Sequence, residues 1–211
     1  MDISKSYDAN FVFLGHRSYI HGSSMTYGLL DAVKSWSMDS IKRLQLNVRA
    51  LLKEQGKYDL FCNEREKNRV EKKYNAMFRL QCGKDIFFVG LKGRKEPVSI
   101  SESYDEEKLI TGCQILKGFK AATLILHPDK LIINTMIALN KNLVNTLFPS
   151  EGYSQWFLTR YDLVWEKTHM VEPTLLKIEV VGNIGSSHTN SAIKFDGKTI
   201  GSMYFSRNIT Q

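Results

Sequence analysis

The sequence predicts an α+β chain in which each of two helices is followed by a run of antiparallel strands. Three observations predict it. Apolar residues recur at helical spacing in two segments only, they alternate with polar residues over much of the rest, and these features occur twice at one offset. Each helix then needs a sheet to bury its apolar stripe.

The first helix is expected after Ser23 and Ser24, either of which could cap it, with Met25, Leu29, Ala32, Val33 and Trp36 on one face. The second is expected from His127-Pro128-Asp129, since proline suits a first turn and aspartate suits the positive end of the helix dipole. Its stripe is Ile133, Met136, Ile137, Asn140, Val144 and Leu147, stopped by Pro149. Alternation marks strands at Leu44–Val48, Phe157–Val164 and Leu176–Val180. Two hairpins follow: Tyr74–Gln81 turns through Cys82-Gly83-Lys84 into Ile86–Leu91, and Asn190–Phe195 turns through Asp196-Gly197-Lys198 into Thr199–Phe205.

Gly83-Lys84 and Gly197-Lys198 lie 114 positions apart, and the same offset carries the strand at Leu44–Lys53 onto Leu158–Lys167. The repeated pattern is helix, strand, strand, hairpin. It places a first repeat at 1–96, a connection at 97–118 and a second repeat at 119–211, with Lys92–Glu107 the most linker-like stretch.

Composition narrows the functional classes. Of 211 residues, 43% are apolar and 24% charged, which excludes a disordered or low-complexity chain. No apolar run approaches the length of a membrane span, and no signal peptide opens the sequence, so a cytoplasmic protein is expected. The net charge of +7 favours an anionic partner without choosing one. Cys62, Cys82 and Cys113 form no closely spaced pair, so reduced thiols are expected. No metal-binding helix motif, Walker loop, dinucleotide fingerprint or serine-hydrolase elbow is present, and no metal or cofactor is expected. His169 and His188 read as loop residues.

The chemistry-bearing stretch runs from Gly15 to Ala32. It sets His16 and His21 before a helix, Gly22, Ser23 and Ser24 at its start, and Tyr27 and Asp31 inside it. Unpaired N–H groups at a helix start can polarise a thioester carbonyl, and glycine admits close approach. A histidine can move a proton, and a carboxylate can share that work. The bland readings are a capping or surface histidine and a solvated Asp31.

This segment resembles the start of the central helix in acyl-thioester enzymes of the hot-dog fold. His16 and Asp31, 15 positions apart, sit close to the spacing of the histidine and helical acid of 3-hydroxyacyl-carrier dehydratases. His21, Ser23, Ser24, Tyr27 and Asp31 are similar to the local pattern of 4-hydroxybenzoyl-CoA thioesterase-like proteins. The resemblance implies a double hot-dog, two central helices wrapped by antiparallel sheet, which supplies its own partner and could still form a homodimer. It implies substrates on coenzyme A or acyl carrier protein, in fatty-acid or polyketide-type metabolism. The catalytic candidates it implies are His16, His21, Asp31 and Asn140, with Gly22, Ser23, Tyr27 and His127 binding substrate. Asn140 would complete a site begun by His16 or His21, or else be a core amide. Dehydration, hydrolysis and acyl transfer all remain open, with a lean to dehydration from His16 and Asp31.

Two basic clusters stand apart: Lys67, Arg69, Lys72 and Lys73, then Lys92, Arg94 and Lys95. Lys92, Arg94 and Lys95 are candidates for carrier phosphates or the acidic face of a carrier protein, against the plain reading of solvated loops. Two other functions compete. One is a hot-dog module that binds acyl groups or a partner without turnover. The other is RNA binding, suggested by Phe87 and Phe88 beside Lys84, although core packing explains those aromatics better.

Overall fold

The computed structural model describes residues 4–38, 40–128, 131–149, 155–168 and 170–207, with only the backbone of Arg69. Asp129 and His169 therefore lie outside the described residues. No helix among those described is long and apolar enough to cross a membrane. The chain divides into two compact units, Met1–Tyr104 and Asp105–Gln211.

In the first unit β1 (Lys5–Ala9) and β2 (Phe13–Leu14) precede α1 (Gly22–Ser35). Then come β3 (Ile41–Val48), β4 (Glu54–Phe61), α2 (Glu64–Val70), β5 (Ala76–Cys82), β6 (Asp85–Pro97) and β7 (Ser101–Glu102). Five strands form an antiparallel sheet in the order β1-β4-β6-β5-β3, while β2 and β7 make a separate parallel pair. Met25, Leu29, Ala32 and Val33 of α1 are buried. Tyr58 of β4 fixes the helix by donating its hydroxyl to the Met25 carbonyl at 2.6 Å. Gly28 makes this approach feasible, because a Cβ there would stand 2.9 Å from the Tyr58 hydroxyl.

α1 begins two or three residues earlier than its serines suggest. His21 is the N-cap residue with extended backbone, and Met25 N–H donates to the His21 carbonyl at 3.0 Å, so Ser23 and Ser24 fall inside the first turn. The helix ends in a Schellman motif. Ser37 turns left-handed at φ 53°, its N–H meets Lys34 O at 3.1 Å, and Met38 N–H meets Val33 O at 3.3 Å.

α2 was not legible in advance. Asn63 caps it by accepting from Glu66 N–H at 2.9 Å, and Val70 joins Phe61, Tyr74, Met77 and Phe88 in a buried cluster. Phe88 is thus a packing residue. The basic stretch around Lys67 is the polar side of this helix, where Lys67 pairs with Glu71 at 2.8 Å. The stretch from Lys92 is not linker: Lys92–Pro97 continues β6, paired with β4 as far as Glu54.

The second unit holds α3 (Glu106–Leu109), β8 (Gln114–Leu116), β9 (Ala121–Leu126), α4 (Ile132–Leu147), β10 (Phe157–Val164), β11 (Thr174–Ile184), β12 (His188–Phe195) and β13 (Lys198–Ser206). Its six strands run in the order β10-β13-β12-β11-β9-β8, antiparallel throughout. α4 starts at Ile132 rather than at His127, which is exposed just beyond β9. The helix buries Ile133, Met136, Ile137, Asn140, Leu143 and Val144. Both hairpins form as expected, with two-residue loops of different kind. Asp196 (φ 46°) and Gly197 (φ 79°) are both left-handed, the signature of a type I′ turn, whereas of Gly83 and Lys84 only Gly83 (φ 61°) is, as in type II′.

Candidate active site at the start of the first helix

The sequence around His21 folds so that α1 opens at the histidine itself. An extended residue must stand at the N-cap, and His21 (ψ 149°) takes that role without donating its side chain to the helix. Its ring turns instead to the first-turn hydroxyl. His21 Nδ1 and Ser23 Oγ lie 2.7 Å apart, with His21 only 6% exposed and Ser23 fully buried. Tyr104, past β7, stacks its ring on His21 at 5.7 Å and 51° and carries the Arg17 guanidinium 5.0 Å above its centroid. Histidine, serine, helix start, tyrosine and arginine therefore converge in one unit.

This arrangement can move a proton and bind an anionic oxygen. The N–H groups of Gly22 and Ser23 belong to the first turn, where no intrahelical acceptor exists, so they lie where a developing oxyanion is stabilised. A histidine held through one ring nitrogen has its ring orientation fixed, and an imidazole can take up or give a proton at a bound substrate.

His16 is exposed in the turn after β2, and Asp31 is exposed on the outward side of α1. Tyr27 is half-buried and Gly22 buried. Asn140 lies in the second unit, wholly buried, where its Oδ1 accepts from Ser191 Oγ at 2.8 Å and its NH2 group has no partner among the described residues. That geometry fits the core-amide reading on one side of the group and leaves the other unsatisfied. Two of the three expected anion binders already hold carboxylates. Lys92 bonds Asp59 at 2.7 Å, and Arg94 bonds Asp8 at 3.2 Å and Glu96 at 2.5 Å. Lys95 is exposed.

A cavity of about 330 Å³ lies at the other end of α1, lined by Trp36, Met38, Leu60, Cys62, Cys82 and Phe87. At the rise of a helix it is about 20 Å along α1 from His21, so it is no part of the histidine site. Among the described residues, no three His, Cys, Asp or Glu side chains gather where they could hold a metal. Sequence reasoning missed Arg17 and Tyr104. Arg17 stood within the flagged segment, but Tyr104 lies far along the chain and only the β2–β7 pairing brings it back.

The architecture of both units, a long helix laid on an antiparallel sheet, is shared with solved structures. A protein described as a thioesterase, from Novosphingobium aromaticivorans, superposes with a TM-score of 0.50 over 98% of this chain and 95% of its own, at 10% identity. The fold is a double hot-dog. A tesB protein from Mycobacterium avium subs paratuberculosis gives a TM-score of 0.52 over 91% of this chain and 89% of its own, at 9% identity. No protein-family model matches the sequence, and no curated protein matches it either. Within the double hot-dog the His21 site occupies the N-terminus of the first central helix.

Proposed function

We propose that this double hot-dog protein processes acyl thioesters carried by coenzyme A or acyl carrier protein, with its reaction centre at the start of α1. The observation that carries this reading is the buried His21–Ser23 hydrogen bond of 2.7 Å at a helix N-terminus. In the proposed mechanism the thioester carbonyl oxygen sits against the N–H groups of Gly22 and Ser23, which take up charge as the α-carbon is deprotonated. His21, held by Ser23, removes that α-proton and passes it to the departing β-hydroxyl, so that the Cβ–O bond breaks, the α,β double bond forms and water leaves. The low exposure of His21 suits proton transfer with the substrate better than activation of bulk water, so the reading leans to dehydratase-like chemistry over hydrolysis. Asp31 and His16, both exposed, are outside this mechanism. Lys95 and the flanks of the +7 chain would meet the anionic carrier.

A second reading, a hot-dog module that binds acyl groups or a partner without turnover, draws on the exposure of Asp31 and on the lack of any Asp or Glu in α4. One experiment separates the two. The purified chain is incubated with acyl-, 3-hydroxyacyl- and enoyl-thioesters on both carriers, and the products are read by mass spectrometry. A change of one water on the intact thioester supports dehydratase chemistry, and free carrier supports hydrolysis. The His21→Ala variant is expected to lose about 10²–10⁴-fold in turnover, while His16→Ala and Asp31→Asn stay near wild type. Binding without conversion selects the second reading, and neither binding nor conversion sinks both.

A further inference from the structure

We propose that Tyr104 is the movable cover of the His21 pocket, and that the strap carrying it, from the end of β6 to Tyr104, must lift before a ligand reaches the histidine. His21 is 6% exposed although it stands at a helix N-terminus, a position usually open to solvent. The Tyr104 ring lies against it with centroids 5.7 Å apart, itself under the Arg17 guanidinium at 5.0 Å. Thus the ring that packs on the histidine belongs to neither α1 nor the main sheet.

The strap is lightly tied. β7 contributes two residues to a parallel pair with β2, Phe13 against Ser101 and Leu14 against Glu102. Phe13 N–H donates to Ile100 O at 2.9 Å and Gly15 N–H to Glu102 O at 2.8 Å. Ser101, Glu102 and Ser103 are exposed, and Ile100 is 60% exposed, so the strap has almost no apolar burial of its own. Segments with few buried contacts and solvent-accessible backbone bonds open at low cost relative to the core. By contrast, Ser23 beneath the histidine is wholly buried and the α1 stripe is packed, so opening at the strap is the path that leaves the core intact. Arg17 stays at the rim when Tyr104 swings away, beside the entry.

The inference rests on the proposed function only for what enters the pocket. The cover itself is tested without any thioester, so failure of one is distinguishable from failure of the other. The full chain is treated with diethyl pyrocarbonate, and carbethoxylation of each histidine is followed by peptide mass spectrometry. Exposed His16 serves as the internal reference. In wild type His21 is expected to react much more slowly than His16. Tyr104→Ala should raise the His21 rate about tenfold or more, Tyr104→Phe should leave it unchanged, and the His16 rate should hold in both. Arg17→Met removes the brace without emptying the pocket and should give a smaller rise. Circular dichroism melts establish that each variant is folded. The proposal is overturned if wild-type His21 reacts as fast as His16, or if folded Tyr104→Ala and Arg17→Met leave His21 as slow as wild type.

Discussion

The two units use the same parts and connect them differently. In the second, β11 passes to β12 through a short turn at residues 185–187, and β12 to β13 through the type I′ turn, so three consecutive strands lie side by side. In the first, β4 leads through α2 to β5, and β6 then returns into the space between them. β5 therefore lies beside β3 where β13 lies beside β10, and β6 takes the place of β12. A tight turn can deliver only an antiparallel neighbour, whereas the longer connection at residues 62–75 crosses the face of the sheet and brings β5 in parallel to β4. The hairpin repeats in sequence, yet its two strands occupy exchanged positions in the sheet. A repeat read from periodicity fixes which elements exist, and connection length decides where they go.

The crossing leaves a mark on energetics. α2 covers the outer face of the first sheet, and beneath it Asp59 is wholly buried, bonded to Lys92 at 2.7 Å, Tyr74 Oη at 2.8 Å and Ser6 Oγ at 2.8 Å. Burial by itself pushes the Asp59 carboxyl up. The bonds from Lys92, Ser6 and Tyr74 outweigh that and hold it below its ordinary value, while burial and the neighbouring carboxylate push Tyr74 up. The second unit carries an ion group on β11 and β12, with Glu179 at 2.9 Å from Lys194 and 3.2 Å from Lys177, but all three are part-exposed. Lys92→Met leaves the buried Asp59 carboxylate without its cation, with only the Tyr74 and Ser6 bonds, and is expected to cost about 3 kcal/mol in urea unfolding, the largest effect among these predictions. Lys194→Met, in the exposed group, should cost at most about 1 kcal/mol.

Because the folded Asp59 is depressed, its contribution is complete above the ordinary 3.8 and is lost as pH falls through the lower folded value. Urea midpoints taken from pH 6 to pH 3 should therefore fall more steeply in wild type than in Lys92→Met, where the carboxyl is protonated early. Parallel pH curves would mean that the Asp59–Lys92 pair does not set the acid sensitivity of the fold.

The helix ends sharpen the comparison at the next level. α4 ends without a left-handed residue among those described, and its C-cap carbonyl, Phe148 O, is met at 2.7 Å by Arg207, which is 6% exposed, also donates to Ser186 O in the β11–β12 turn at 2.7 Å, and lies 4.7 Å over the Trp156 ring. α1 has a Schellman motif, with exposed Lys5 donating to Trp36 O at 2.6 Å. The buried arginine satisfies two carbonyls and packs on an aromatic face, so Arg207→Ala is expected to cost about 2–3 kcal/mol. Lys5→Ala, whose partners can turn to water, should cost under about 1 kcal/mol by the same unfolding measurement.

How much of this was legible follows from what kind of signal each part leaves. Met25, Leu29, Ala32 and Val33, or the alternation through Leu176, Ile178 and Val180, write burial directly into the order of residues, so helices and principal strands could be read. The turn at Asp196-Gly197 was equally plain. α2 left little trace, since Val70 is its one apolar residue and polar or charged residues fill the rest. Lys92 looked free because its partner Asp59 lies on another strand, and a long-range ion pair has no local pattern. The same holds at the site. His21 and Ser23 are two positions apart and were flagged together, whereas Tyr104 reaches His21 only through the β2–β7 pairing, and Asp31 was favoured by a spacing that the helix points outward.

The smallest expected effect tests whether the two helix ends are as different as their geometry indicates. Ser37 adopts φ 53° at the C′ position of α1, where a side chain crowds its own carbonyl and glycine does not. Both Schellman bonds already form, so replacing the serine should relieve strain without altering the contacts. Ser37→Gly is expected to stabilise the protein by about 0.5–1 kcal/mol. A glycine at the C-cap of α4, Phe148→Gly, has no such strain to relieve, because Phe148 sits at φ −130° and packs on Trp156 at 6.4 Å. It should destabilise, through lost aromatic burial and a freer unfolded chain. Opposite signs at the two positions would show that one helix is stopped by its own backbone and the other by side chains arriving from elsewhere in its unit. Equal signs would mean that the left-handed Ser37 carries no appreciable strain.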